Sequence, residues 1–227
     1  MLNSDKLKRY FKIKGKLSTK NLRRLCENNK TDEEVLVIHS EDVPHEDYFP
    51  NAFTVTKRKN KEADLHVDLF YRDIANLEKG KYRTIICTGL LEHVPDPQRL
   101  IDDIHELLPP GGKLVLSASS VFSIHEGPND YFHFTPFGIH ELMENWSMVE
   151  VYGSSQPFET LGILMQRILL QCEIRSKAIK VLISILARQI YRLDKYISAQ
   201  YYTRSPKSNE TRIDSMLPSN VFVEALK

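Results

Sequence analysis

Thr88-Gly89-Leu90-Leu91-Glu92-His93-Val94-Pro95-Asp96-Pro97, and after it Leu108-Pro109-Pro110-Gly111-Gly112-Lys113-Leu114, is the stretch on which the fold turns. Arg83 to Thr88 (RTIICT) is a short β-branched run, the mark of a buried strand. It ends on small residues, Thr88-Gly89, where a flat ligand can lie against backbone. Pro95-Asp96-Pro97 is a sharp helix-start signal. From Gln98 to Leu108 the apolar residues Leu100, Ile101, Ile104, Leu107 and Leu108 recur with a helical period. Pro109-Pro110-Gly111-Gly112 then forces a turn into a further strand, Lys113 to Ala118 (KLVLSA).

The same alternation extends outward in both directions. Upstream, Glu34 to Ser40 (EVLVIHS) and Ala52 to Thr56 (AFTVT) read as strands, with Ala63 to Leu69 (ADLHVDL) a third. Downstream, Thr135-Pro136 opens a helix to Asn145, and Met148 to Tyr152 returns as strand. Strands alternating with helices imply an α/β, Rossmann-like, mostly parallel sheet with helices on both faces. Ligands in such sheets sit beyond the carboxyl ends of the strands, which points to the segments after Ser40, Thr56 and Thr88.

The two ends of the chain differ from this core. Residues 1–30 form a basic, helical segment, with Lys6, Lys8, Arg9, Lys12 and further cations against only Asp5 and Glu27. Such a run reads as a solvated helix face or as a patch for phosphate or anionic lipid. The core then spans residues 31–153, and 154–205 is a helical insertion before the last strand. Residues 206–227 make a loop and the closing strand of the core, Val221 to Leu226.

A formal net charge of +1 gives no reason to expect a nucleic-acid partner. Cys26, Cys87 and Cys172 are odd in number and far apart, which argues against a disulfide framework or a structural zinc site and for a reducing compartment. No apolar h-region opens the chain, and no apolar run reaches the ~20 residues that span a bilayer. A cytoplasmic protein, peripheral to the membrane if attached at all, is the expectation.

The residues from Thr88 to Pro97 and from Leu108 to Leu114 resemble the core of the class I S-adenosylmethionine-dependent methyltransferases of the type 11 group. His125-Glu126-Gly127-Pro128-Asn129-Asp130-Tyr131-Phe132-His133-Phe134-Thr135-Pro136 is similar to a segment of a bacterial subset of that group, in which a basic residue, usually Arg, stands at His133. Leu217 to Lys227 resembles its closing strand. The resemblance implies S-adenosylmethionine as cofactor. It also implies a glycine-rich loop after an acidic residue at the end of the first strand, and here the chain departs. The acidic position is Val37, and the first two glycine positions are His39 and Glu41. The carboxylate expected to bind the ribose hydroxyls is replaced by Thr56, which offers one hydroxyl. Such a loss costs about 1.5–3 kcal/mol per charge-assisted bond, tenfold or more in affinity. Asp68 remains where the family places a residue near the adenine.

Two readings follow from this degenerate motif. In one, the cofactor is held by atypical contacts from His39, Ser40, Glu41, Thr56, Asp68, Thr88, Gly89 and Leu90, and a hydroxyl of a glycan or other small molecule is methylated. In the other, the chain is a non-catalytic pseudo-methyltransferase serving as a binding or scaffolding module. For a hydroxyl acceptor a base is needed, and His93, His125 and His133 are the candidates because imidazole titrates near neutrality. His93 reads first as a loop brace, and Glu92 as a hydrogen-bond partner rather than a catalyst. Asp130 and Tyr131 are the candidate acceptor contacts, although Asp130 can cap a turn and Tyr131 can pack over the sheet. No metal is expected, since His39, His45 and His66 are scattered, and Cys87 ends a buried strand and is no nucleophile.

Between Leu161 and Tyr202 apolar residues at three- and four-residue steps are interleaved with Arg167, Arg175, Lys177, Lys180, Arg188, Arg192 and Lys195. This pattern suits a helical hairpin that packs on the domain or forms a dimer face, and equally a helix at a membrane surface. The resembling subset is associated with surface-glycan assembly, which by analogy implies polysaccharide biosynthesis and lipid-linked acceptors.

Overall fold

The computed structural model describes residues 17–38, 45–57, 62–68, 72–204 and 207–227. His39, Ser40 and Glu41 lie outside the described residues, as does most of the basic N-terminal segment. The described residues fall into two compact units, residues 22–154 with 218–227, and residues 17–21 with 155–217.

The first unit is built on one seven-stranded sheet. In chain order its elements are α1 (Leu17–Asn28, of which the unit takes the part from Leu22), β1 (Val35–Ile38), β2 (Ala52–Thr56), β3 (Leu65–His66), β4 (Thr84–Thr88), α2 (Pro97–Leu107), β5 (Lys113–Ser119), α3 (Pro136–Leu142) and β6 (Met148–Gly153). A two-stranded ladder in the other unit, β7 (Gln200–Tyr201) and β8 (Arg212–Ile213), precedes the closing strand β9 (Asn220–Leu226). The sheet order is β3-β2-β1-β4-β5-β9-β6, parallel from β3 to β5, with β9 inserted antiparallel between β5 and β6. The Rossmann-like, mostly parallel sheet is therefore present.

Alternation along each strand produces two cores. Leu36, Ile38, Ile85, Cys87, Leu114, Leu116, Val221 and Val223 face Leu100, Ile101, Ile104 and Leu107 of α2 and Ile139 of α3. Val35, Val37, Ile86, Val115 and Phe222 face Leu25 and Cys26 of α1 and Phe49. Val37 is thus an apolar core residue. The caps match the sequence signals. Asp96 accepts from the Arg99 amide ahead of Pro97, and Thr135 accepts from the Gly138 amide ahead of Pro136. Gly111 takes φ 70° in the turn after α2, a left-handed conformation that favours glycine.

The second unit is mainly helical. It contains α4 (Pro157–Gln171) and α5 (Lys177–Gln189), broken at Cys172 to Ser176, followed by a 3-10 segment, Ile190–Tyr196. The carboxylate of Asp194 accepts from the Phe158 and Glu159 amides at 2.8 Å each, capping α4. A Cβ at Gly162 would stand 3.0 Å from the Ala187 carbonyl, so a side chain there would push against α5. Of the β7–β8 ladder, β7 lies at the end of the stretch expected to be helical and β8 in the loop after it, because two-residue strands carry no periodic signal.

Candidate active site

The strand order reverses between β1 and β4, and the carboxyl ends of β2, β4 and β5 form one edge of the sheet. Gly89 follows β4 with φ 63°, and a Cβ there would meet nothing within 4 Å. Its amide donates to the Ser117 carbonyl at 3.0 Å and Ser117 Oγ at 3.2 Å. Thr88 is 3 % exposed, and its Oγ1 is buried without a hydrogen-bond partner. Leu90 is fully buried. Thr56 is buried at the end of β2, and the amide of Asp68 donates to Asp73 Oδ2.

After Leu90 the chain makes a 3-10 turn, Leu91–His93, all three residues of which are buried. Glu92 is 1 % exposed. Its Oε1 accepts from Ser119 Oγ at 2.7 Å and from the Ser119 amide at 3.2 Å, while Oε2 is buried with no hydrogen-bond partner. The Glu92 carbonyl accepts from the Tyr131 and Phe132 amides. This single residue therefore ties the turn after β4 to the end of β5 and to the loop beyond it.

That loop delivers the other polar groups. His93 Nδ1 lies 2.8 Å from the Asn129 carbonyl and the ring stacks edge-on against His125, with centroids 4.7 Å apart. Asp130 Oδ2 accepts from the His125 amide at 2.8 Å and lies 3.4 Å from His125 Nδ1, so Asp130 caps the turn and orients the ring. Asp130 Oδ1 is buried without a hydrogen bond, 3.6 Å from His133 Nε2. His125 Nε2 stands 4.0 Å from Glu92 Oε1. Tyr131 is exposed and donates to Asn129 Oδ1. The three histidines, Asp130 and Glu92 are thus one cluster.

Glu92 is the hydrogen-bond partner expected from the sequence, but its partner was not legible there. Glu92 carries nothing in sequence to show that it is buried against Ser119. Lys57, just past β2, pairs with Glu126 of the loop at 3.6 Å. Cys87 is fully buried, and burial, with the Glu92 charge second, pushes its thiol far above the ordinary value. Burial likewise pushes Cys26 up to about 11, so neither thiol is a nucleophile.

A family profile described as a methyltransferase domain matches residues 20–167, more than half of the chain. Ubiquinone biosynthesis O-methyltransferase of Coxiella burnetii (strain Dugway 5J108-111) is 34 % identical over 119 residues, covering 49 % of this chain and 50 % of that protein. The chain thus spans about half the length of the curated relatives it matches. A SAM-dependent methyltransferase from Archaeoglobus fulgidus superposes with a TM-score of 0.55 at 14 % identity, covering 93 % of both chains. Haemonchus contortus phosphoethanolamine N-methyltransferase 2, in complex with phosphomonomethylethanolamine and S-adenosylhomocysteine, gives 0.51 at 16 % identity, covering 92 % of this chain and 52 % of that one. By its sheet order, its site edge and the matching profile, the chain belongs to the class I S-adenosylmethionine-dependent methyltransferases.

Proposed function

We propose that this chain methylates a hydroxyl of a small organic acceptor, and the observation that carries the reading is the cluster of His93, His125 and His133 around Asp130 and Glu92 at the ligand edge of the sheet. The described residues fit the cofactor that the family uses. Gly89 leaves open space beside the backbone after β4, and Thr88 keeps a buried, unsatisfied hydroxyl beside it. Thr88, Gly89 and Leu90 would hold the cofactor from that side, with Thr56 giving one hydroxyl in place of a carboxylate. When bound, S-adenosylmethionine supplies an electrophilic methyl group. The chain's own residues then align the acceptor oxygen and take its proton. His133, the most exposed of the three histidines and held beside the buried Asp130, is the base in this reading. Tyr131, exposed at the same rim, contacts the acceptor.

The O-methyltransferase name of the Coxiella burnetii relative supports a hydroxyl acceptor. A glycan and a phenolic ring both remain within that class. On the second unit, Ile179, Leu182, Ile185 and Leu186 are exposed on α5, while Ser184 and Ala187 are the buried residues. Lys177, Lys180 and Arg188 lie on the same helix, which supports contact with an anionic lipid surface. No helix among the described residues is long and apolar enough to cross a membrane.

Calorimetric titration with S-adenosylmethionine and S-adenosylhomocysteine tests the cofactor, followed by methyl transfer from labelled cofactor to glycan and to catechol panels. Heat on titration and label in one panel are expected. No heat at millimolar cofactor overturns the enzyme reading and leaves a binding module. Flotation with anionic liposomes tests the α5 surface, and failure to float removes the lipid contact.

A further inference from the structure

We propose that Asp130 is a positioning residue for the methyl transfer, holding His133 so that Nε2 carries the ring proton and Nδ1 takes the proton of the acceptor hydroxyl. The proposal rests on the reading of His133 as the base. Asp130 stands in the loop between β5 and α3, its side chain only 3 % exposed. Its Oδ2 accepts from the His125 amide at 2.8 Å, so the loop itself sets the rotation of the carboxylate. Oδ1 is buried without a hydrogen bond, and His133 Nε2 lies 3.6 Å from it.

Charge and geometry agree on that pairing. A buried carboxylate oxygen left unsatisfied is costly, and a donor at Oδ1 removes that cost. Among the described residues, the groups at ion-pair distance from Asp130 are both imidazoles, His125 at Oδ2 and His133 at Oδ1, with no lysine or arginine. An ionised carboxylate can only accept, so the proton of His133 belongs on Nε2 and the lone pair on Nδ1. A closure of about 0.6 Å brings the pair to hydrogen-bond distance, and such contacts are often long before a substrate arrives. His133 is 31 % exposed, so its ring is reachable from the rim while Asp130 is not. When the O–H bond of the acceptor breaks, its electron pair stays on oxygen and the proton goes to Nδ1. The imidazolium so formed faces Oδ1 across Nε2–H, a charge-assisted bond that strengthens as the proton arrives.

The hydrogen bond at Oδ2 makes the effect of one substitution definite. In Asp130→Asn the His125 amide still needs an acceptor, so the Asn carbonyl oxygen takes the place of Oδ2. The Asn amino group then takes the place of Oδ1 and donates to His133 Nε2. The ring proton is forced onto Nδ1, and the lone pair that would accept the proton is gone. Side-chain size and the turn cap are both unchanged, so the loss is one of tautomer and charge.

The test uses the full chain with isotope-labelled histidine in nitrogen NMR, the His133 signals being identified by their loss in His133→Gln. The native chain is expected to show Nε2–H at His133, with a resolved downfield N–H signal because a carboxylate partner slows exchange with water. Asp130→Asn is expected to show Nδ1–H, the reverse of what a histidine side chain prefers in water. Nε2–H in both chains overturns the proposal. Absence of the downfield signal from the native chain overturns it too, and that measurement decides if the variant does not fold. In methyl-transfer assays Asp130→Asn should lower kcat at least about a hundredfold with the acceptor KM nearly unchanged. Combined with His133→Gln it should cost nothing further, and losses that multiply overturn the coupling. Asp96→Asn alters a carboxylate cap that has no imidazole at its side among the described residues, and should leave kcat unchanged. The tautomers are read without cofactor or acceptor. An unflipped tautomer therefore leaves the methyltransferase reading standing, and a chain that transfers no methyl group overturns that reading while the NMR result stands.

Discussion

Ser119 Oγ donates to Glu92 Oε1 at 2.7 Å, and the Ser119 amide donates to the same oxygen. The pair joins the end of β5 to the turn after β4 inside the core, so the geometry of the histidine cluster depends on it. In Ser119→Ala the carboxylate keeps only the amide donor, in a site closed to water. A loss of about 1–3 kcal/mol in unfolding free energy is expected from urea denaturation. Ser120→Ala, one residue past the strand, should be near neutral.

Thr56→Asp places a carboxylate at the end of β2, where the proposed cofactor site has a single hydroxyl. The expected outcome is an affinity for S-adenosylmethionine raised tenfold or more, about 1.5–3 kcal/mol for a charge-assisted bond. Calorimetry of the variant against the native chain measures it. Unchanged affinity would mean that the ribose is held elsewhere.

At Gly89 the added methyl of Gly89→Ala meets nothing within 4 Å, so sterics inside the fold are not the obstacle. The φ of 63° is, at about 1–2 kcal/mol for a residue with a Cβ. A modest fall in thermal stability is expected. If Gly89 lines the cofactor site, the fall in cofactor affinity should exceed what that strain explains.

Glu224 gives a pH dependence. Burial pushes its carboxyl up, but hydrogen bonds from Lys113, Asn29 and Tyr152 outweigh that and hold it below the usual carboxylate range. A group held lower in the folded state contributes stability that is fully present above its unfolded pKa, about 4.3. The contribution fades as pH falls through the folded value. Glu224→Gln should therefore be less stable than the native chain at neutral pH, with the difference shrinking below about pH 4. Urea unfolding at a series of pH values measures it.

The sequence by itself determined the sheet. Buried strands such as Val35–Ile38 and Thr84–Thr88, the Pro97 helix start and the Pro109–Gly112 turn are local signals and formed within a residue or two of their expected places, whereas β3 spans only Leu65–His66 and α3 ends at Leu142, three residues before Asn145. Break points were less legible. The interruption at Cys172 to Ser176 and the β7–β8 ladder depend on contacts between residues distant in the chain, which periodicity does not record. The site was legible as residue types but not as an assembly. His93 and His125 are far apart in sequence, and only the packing of the β5 loop over the turn after β4 brings their rings to 4.7 Å. Burial of Glu92 against Ser119 was decided the same way, since a carboxylate enters a core only where the tertiary structure supplies its donors.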